Sequence, residues 1–191
     1  NALDIQRAAE VLRGDGTIIY PTDTIYGLGC DIASEQGIRH IQQIKGRNPD
    51  KPMSCICADL DHARQFARVS DFAYRFLENS LPGPYTFILP ATTGTPPALQ
   101  NTQKTIGLRI PDHAVPIALV QALDNPIVST SANLSQAAPI TNPITLHATL
   151  GKEVDLILEC GILSQKASSV ISLIGDTVNL LRRGSGDLSM F

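Results

Sequence analysis

The chain has 191 residues, 43% of them hydrophobic and 17% charged, with a formal net charge of −3. That is enough apolar material for one substantial core, and it excludes a disordered or collagen-like chain. The acidic balance gives no bulk support for nucleic-acid binding, which would need a local basic patch. No apolar run approaches the roughly 20 residues of a membrane span. The first residues also lack the basic-then-apolar pattern of a secretory signal, so a cytoplasmic protein with no membrane partner is expected.

Cysteine usage agrees with that compartment. Cys55 and Cys57 share a face of an expected strand, but no second ligand pair follows them, and Cys30 and Cys160 stand alone. The histidines are scattered. Buried reduced thiols are expected rather than a zinc site.

In chain order, Ile5, Ala8, Ala9 and Leu12 have helical spacing behind Asp4 as a cap, and Gly14 and Gly16 end that helix. The β-branched run from Thr17 to Tyr20 then reads as a strand that stops at Pro21. Beyond it, Thr22, Asp23, Thr24, Tyr26 and Asp31 crowd together around Gly27 and Gly29. These glycines would permit close backbone approach or positive φ. A strand followed by a polar, glycine-bearing turn is the usual seat of a site in an α/β protein; a tight turn between two core strands is the plainer reading.

Ser34 can cap a second helix striped by Ile38, Ile41 and Ile44, which runs into the loop Lys45-Gly46-Arg47-Asn48-Pro49. Arg39, Lys45, Arg47 and Lys51 outnumber Asp50 here. Cations at a helix end favour its dipole, but Lys45 and Arg47 flanking a glycine also suit a mobile clamp on a phosphate or carboxylate. As loop cations they would contribute little to stability.

Residues 53–58 read as a buried strand, and 60–79 as one broken helix or two short ones with Asp71 as a cap. Residues 85–89 read as a strand after Pro82-Gly83-Pro84. Thr105, Gly107 and Arg109 share one face of a strand over 105–110, where an arginine among small residues reads as a ligand-binding cation. An apolar helix over 115–123 precedes a short strand that enters Ser129-Thr130-Ser131-Ala132-Asn133. These hydroxyls and the amide either cap a turn or present neutral hydrogen-bonding groups to a polar ligand. A helix at 143–150, a strand at 154–158, and strands at 170–174 and 177–182 hinged at Gly175-Asp176 complete the chain. Early alternation of strand and helix, then adjacent strands, predicts an α/β fold of one domain with a mixed sheet.

Taken together, Tyr20-Pro21-Thr22-Asp23-Thr24-Ile25-Tyr26-Gly27-Leu28-Gly29, Lys45-Gly46-Arg47, Pro82-Gly83-Pro84-Tyr85-Thr86-Phe87-Ile88-Leu89, Thr105-Ile106-Gly107-Leu108-Arg109-Ile110-Pro111 and Ser131-Ala132-Asn133 resemble the ordered blocks of the YrdC/YciO family. The block around Tyr85, the stretch 165–171 and the glycine-rich end look closer to the YciO branch. The resemblance implies a single YrdC-like domain over 1–191: a twisted mixed parallel and antiparallel sheet with flanking helices around a concave basic cavity.

It further implies a threonylcarbamoyl-AMP synthase, a nucleotidyltransferase. Such an enzyme joins L-threonine, bicarbonate and ATP, with Mg2+ expected, releases pyrophosphate, and supplies the t6A modification of tRNA. Lys45 and Arg47 resemble its catalytic pair. Lys45, Arg47, Thr105, Asn133, Thr141 and Arg182 would bind ATP; Thr22, Arg109, Ser131 and either Ser168 or Ser169 would hold threonine. Implied partners are the t6A-transferase machinery and tRNA or double-stranded RNA. The alternatives are an RNA-binding or ribosome-associated module, or a nucleotide-dependent enzyme with a different acceptor. The chain has no Gly-x-x-x-x-Gly-Lys-Ser/Thr, so triphosphate would have to be met by discrete cations such as Lys45, Arg47 and Arg182.

Overall fold

The computed structural model describes residues 1–46, 53–99 and 101–191. Helix α1 (Ala2–Arg13) starts at Asn1, whose side chain accepts from the backbone N–H groups of Leu3 and Asp4 while Asp4 reaches back to Asn1. This capping box gives Asn1 the role expected of Asp4. Strand β1 (Thr17–Tyr20) turns directly back into β2 (Gly27–Asp31), antiparallel to it. Gly27 and Gly29 therefore lie within a strand and not in the turn, and neither has positive φ. Their glycine character answers crowding. A Cβ on Gly29 would stand 2.6 Å from Ile127 Cγ2 and 2.7 Å from the Val128 carbonyl oxygen, and one on Gly27 would stand 3.0 Å from the Tyr20 ring.

Helix α2 (Glu35–Lys45) is capped by Ser34, as its sequence predicts, and is closed by Gly46 in the left-handed region. Strand β3 (Ser54–Ile56) follows, then α3 (Leu60–Ala63) and α4 (Asp71–Ser80), the latter capped by Ser70 rather than Asp71. After β4 (Tyr85–Pro90), β5 (Thr105–Arg109), α5 (Ala114–Leu123), β6 (Ile127–Ser131) and α6 (Pro143–Leu150), the expected strand at 154–158 shrinks to β7 (Leu156–Ile157). There the Asp155 carboxylate accepts the Thr17 N–H at 2.8 Å, so a side chain takes the place of a ladder bond. Strands β8 (Ser169–Ser172) and β9 (Asn179–Arg182) form the expected antiparallel pair, with a register shift after Val170.

All these strands join one mixed sheet in the order β7-β1-β2-β6-β3-β5-β4-β8-β9. Strand alternation divides its residues between two faces. One face, with Leu28, Cys30, Cys55, Phe87, Leu108, Val128 and Ile171, packs against Ile38 and Ile41 of α2 and Ala73 and Leu77 of α4. On the other face, Ile18, Tyr20, Ile56 and Ile127 meet Ala8 and Leu12 of α1 and Leu119, Val120 and Leu123 of α5. Each such buried aliphatic or aromatic side chain contributes about 1.5–3 kcal/mol. Elsewhere this second face is polar and small. Ile18, Gly29, Ser129, Ser54, Gly107, Ile88, Ser172 and Asn179 stand in register across it as a single cross-strand file.

The close approach at Gly29 gives a test of this packing. Gly29→Ala should destabilise the protein by about 1–3 kcal/mol, because a backbone carbonyl cannot swing aside as a flexible side chain can. A lower urea midpoint with unchanged slope would register it; an unchanged midpoint would contradict it.

Candidate functional site

The polar part of the second face is the floor of a hollow of about 1000 Å³. Lys45, Thr105, Arg109, Ser131, Asn133, Ser168 and Arg182, seven of the residues singled out in the sequence, line it together. Arg47 lies outside the described residues.

Lys45 corrects the picture of a mobile loop cation. It is the last residue of α2 and is buried. Its ammonium donates to the Ser131 carbonyl at 2.8 Å, the Asn133 carbonyl at 2.7 Å and Asn133 Oδ1 at 2.6 Å; the Ser131 hydroxyl is farther off at 3.4 Å. One cation thus ties the end of a helix to the end of β6. Asn133 is also fixed from its other side, its amide donating to the Ala137 carbonyl.

Arg109 is anchored differently. Its Nη2 donates to Thr22 Oγ1 (3.2 Å), Thr24 Oγ1 (2.7 Å) and Asp23 Oδ1 (2.5 Å). The ion pair with Asp23 is buried on both sides. Asp23 Oδ2 accepts the Asp112 N–H, so the pair is braced to the chain beyond β5. Thr22 is not among the lining residues: its hydroxyl donates to the Ile25 carbonyl and accepts from Thr24 N–H and Arg109. It faces Arg109 rather than the hollow, so the direct ligand contact expected of it becomes a positioning role.

Strand alternation separates Ser168 from Ser169. Ser168 Oγ faces the hollow, 2.8 Å from Thr86 Oγ1. Ser169 is fully buried, bonded to the Gly186 carbonyl and the Gly184 N–H, and serves the C-terminal turn. Arg182 donates from Nε and Nη2 to the Ser168 carbonyl. Its pKa is lowered, first by burial and then by the charge of Arg109, which marks two cations sharing one field. Thr105 is held by the Asn101 side chain. Thr141 lies outside the lining, its carbonyl accepting from Leu163 N–H.

The hollow also contains Ser54 on β3 and Thr86 on β4, which the sequence motifs do not mark as ligand contacts, and Ser129 on β6, one of the hydroxyls of the 129–133 run. The alternation that groups Thr105, Gly107 and Arg109 identifies them once the strand register is known. A second hollow, of about 670 Å³, opens beside α5 and is bounded by Pro82, Ile110, Asp112 and His113; it contains none of the sequence-predicted site residues.

Two substitutions test this geometry. Lys45→Met keeps the buried stem and removes the donor, leaving three oxygens to find other partners. It should therefore cost about 1–3 kcal/mol of stability, unlike a loop cation. Asp23→Ala should cost about 2–4 kcal/mol, less than for a fully sealed pair because the hollow admits water to Arg109. Chemical denaturation measures both, and wild-type stability in either variant would contradict the assignment.

A family model described as "Telomere recombination" (Sua5, YciO and YrdC) matches residues 10–184. The chain is 38% identical over 189 residues to the uncharacterized protein YciO of Escherichia coli K12, covering 98% of this chain and 92% of that one. It is 34% identical over 164 residues to the threonylcarbamoyl-AMP synthase of Nitrosococcus oceani, covering 85% and 88%. The crystal structure of E. coli YciO superposes with a TM-score of 0.95 at 36% identity, covering 99% of this chain and 93% of that one. The structure of P. abyssi Sua5 complexed with L-threonine gives a TM-score of 0.91 at 27% identity, covering 96% and 55%. On sequence and fold together, the chain belongs to the Sua5/YciO/YrdC family.

Proposed function

We propose that the protein is an L-threonylcarbamoyladenylate synthase acting on L-threonine, bicarbonate and ATP. The observation that carries this reading is the convergence of Lys45, Ser131 and Asn133 with Arg109, Thr105, Ser168 and Arg182 on one hollow. Relatives named for this activity, and a Sua5 structure holding L-threonine, support it.

In the reaction, the threonine amine takes up bicarbonate to give a carbamate and water. A carbamate oxygen then attacks the α-phosphorus, and the bond from that phosphorus to the α,β-bridging oxygen of ATP breaks, releasing pyrophosphate. No protein nucleophile is needed, so the residues act by positioning and by charge. Lys45, with Arg47, would meet phosphate and carbamate oxygens; Arg182 would meet the nucleotide, with Thr105 and Asn133 alongside. Arg109 would take the threonine carboxylate, steadied by Thr22, Asp23 and Thr24, and Ser131 and Ser168 would hold the amino acid. None of the described residues lining the hollow is Asp or Glu. Magnesium would therefore enter with the ATP substrate, on phosphate and water oxygens.

The higher identity to YciO than to the named synthases favours, as a second reading, the same chemistry on a different amine. Pyrophosphate release from ATP and bicarbonate, with and without L-threonine, separates these readings. Threonine-dependent release is expected. Release with another amine alone would favour the second reading, and no release together with salt-sensitive RNA binding would overturn both. Lys45→Met and Arg47→Ala should each lower turnover by about 10²–10³-fold. Ser131→Ala should weaken threonine binding more than ATP binding; equal losses in calorimetry would contradict its role.

A further inference from the structure

Ser129 and Ser54 face one another in register on β6 and β3, in the middle of the floor. Ser131, on the same face of β6, lies to one side of this pair. Gly107, the partner of Ser54 on β5, sits between Thr105 and Arg109. The pair is thus set between the Lys45 cluster and Arg109.

Its hydrogen bonding is incomplete. Tyr20, fully buried, has Ser129 Oγ as its only hydroxyl partner among the described residues, at 2.6 Å. A buried phenol must donate its hydrogen somewhere, and burial drives its pKa strongly upward, so it remains a donor. Tyr20 therefore gives its hydrogen to Ser129, and the Ser129 hydrogen is left without an acceptor among the described residues. Ser129 itself is only 6% exposed. Ser54, half-buried beside it, makes no side-chain hydrogen bond among the described residues. Among neighbouring hydroxyls, Thr86 bonds Ser168, Ser168 also accepts from Arg182, Thr105 accepts from Asn101, and Ser131 lies 3.4 Å from the Lys45 ammonium.

Two adjacent neutral hydroxyls with unused capacity suit an uncharged polar group that both donates and accepts, whereas phosphates and carboxylates suit the neighbouring cations. Resting on the function proposed above, we infer that Ser54 and Ser129 read the side-chain hydroxyl of a β-hydroxy amino acid acceptor, with Tyr20 orienting Ser129. The pair would select threonine or serine over valine, the isostere of threonine that lacks the hydroxyl. A site built to bond a hydroxyl rejects the analogue without it, because its own polar groups are then stranded.

The test compares L-threonine, L-serine and L-valine, by calorimetry in the presence of a non-hydrolysable ATP analogue and by pyrophosphate release with ATP and bicarbonate. Wild type should prefer threonine to valine by about 10²-fold or more. Ser129→Ala and the double variant Ser54→Ala/Ser129→Ala should compress that ratio toward unity, mainly by weakening threonine. Tyr20→Phe should compress it partly, because Ser129 becomes free to turn. Melting temperatures and affinity for the ATP analogue establish that each variant is folded and still binds nucleotide. If wild type discriminates and the folded variants discriminate equally, the inference fails while the proposed function stands. If wild type binds no β-hydroxy amino acid, the proposed function fails and takes the inference with it.

Discussion

The Lys45 ammonium is the contact on which the site depends. It joins the last turn of α2 to the segment after β6, elements far apart in the chain, through three short hydrogen bonds to neutral oxygens. Neutral dipoles compensate a buried charge without cancelling it. The Ser131 hydroxyl, at 3.4 Å, is a fourth and weaker neighbour of the ammonium.

The three described cations of the hollow are not equivalent. Arg109 is matched by the Asp23 carboxylate, so its geometry is tightly set. Arg182 donates to the Ser168 carbonyl and hydroxyl, and its lowered pKa reflects burial and a like-charged neighbour. Arg109 supplies a fixed fork of a geometry suited to a carboxylate. An acidic chain can hold an anion site in this way, because the field inside a concave surface follows its own lining and not the net charge.

Much of this was legible in the sequence. The helix stripes, the Ser34 cap, the face shared by Thr105, Gly107 and Arg109, and the pairing of the last two strands follow from periodicity and turn chemistry. What misled was proximity along the chain. Lys45 looks like a loop residue because Gly46 and proline follow it, yet the helix continues through it and burial reverses its energetic role. Thr22 carries a motif hydroxyl, but its bonds go to Ile25, Thr24 and Arg109. Ser129 belongs to the hydroxyl run at 129–133, but its pairing with Ser54, distant in the chain, is a matter of cross-strand register and leaves no local signal.

Register is also why fold and site cannot be separated here. The apolar set on one face of the sheet packs under α2 and α4, and the alternate residues of the same strands form the floor of the hollow. Slipping one strand by a single residue would carry its apolar side chains into the hollow and its hydroxyls into the core. The core therefore fixes which hydroxyls, glycines and cations face the ligand. A P-loop concentrates its polar contacts in one short segment; this chain distributes the cations and hydroxyls of its hollow over β5, β6, β9 and the end of α2, and the hydrophobic face holds them in common alignment.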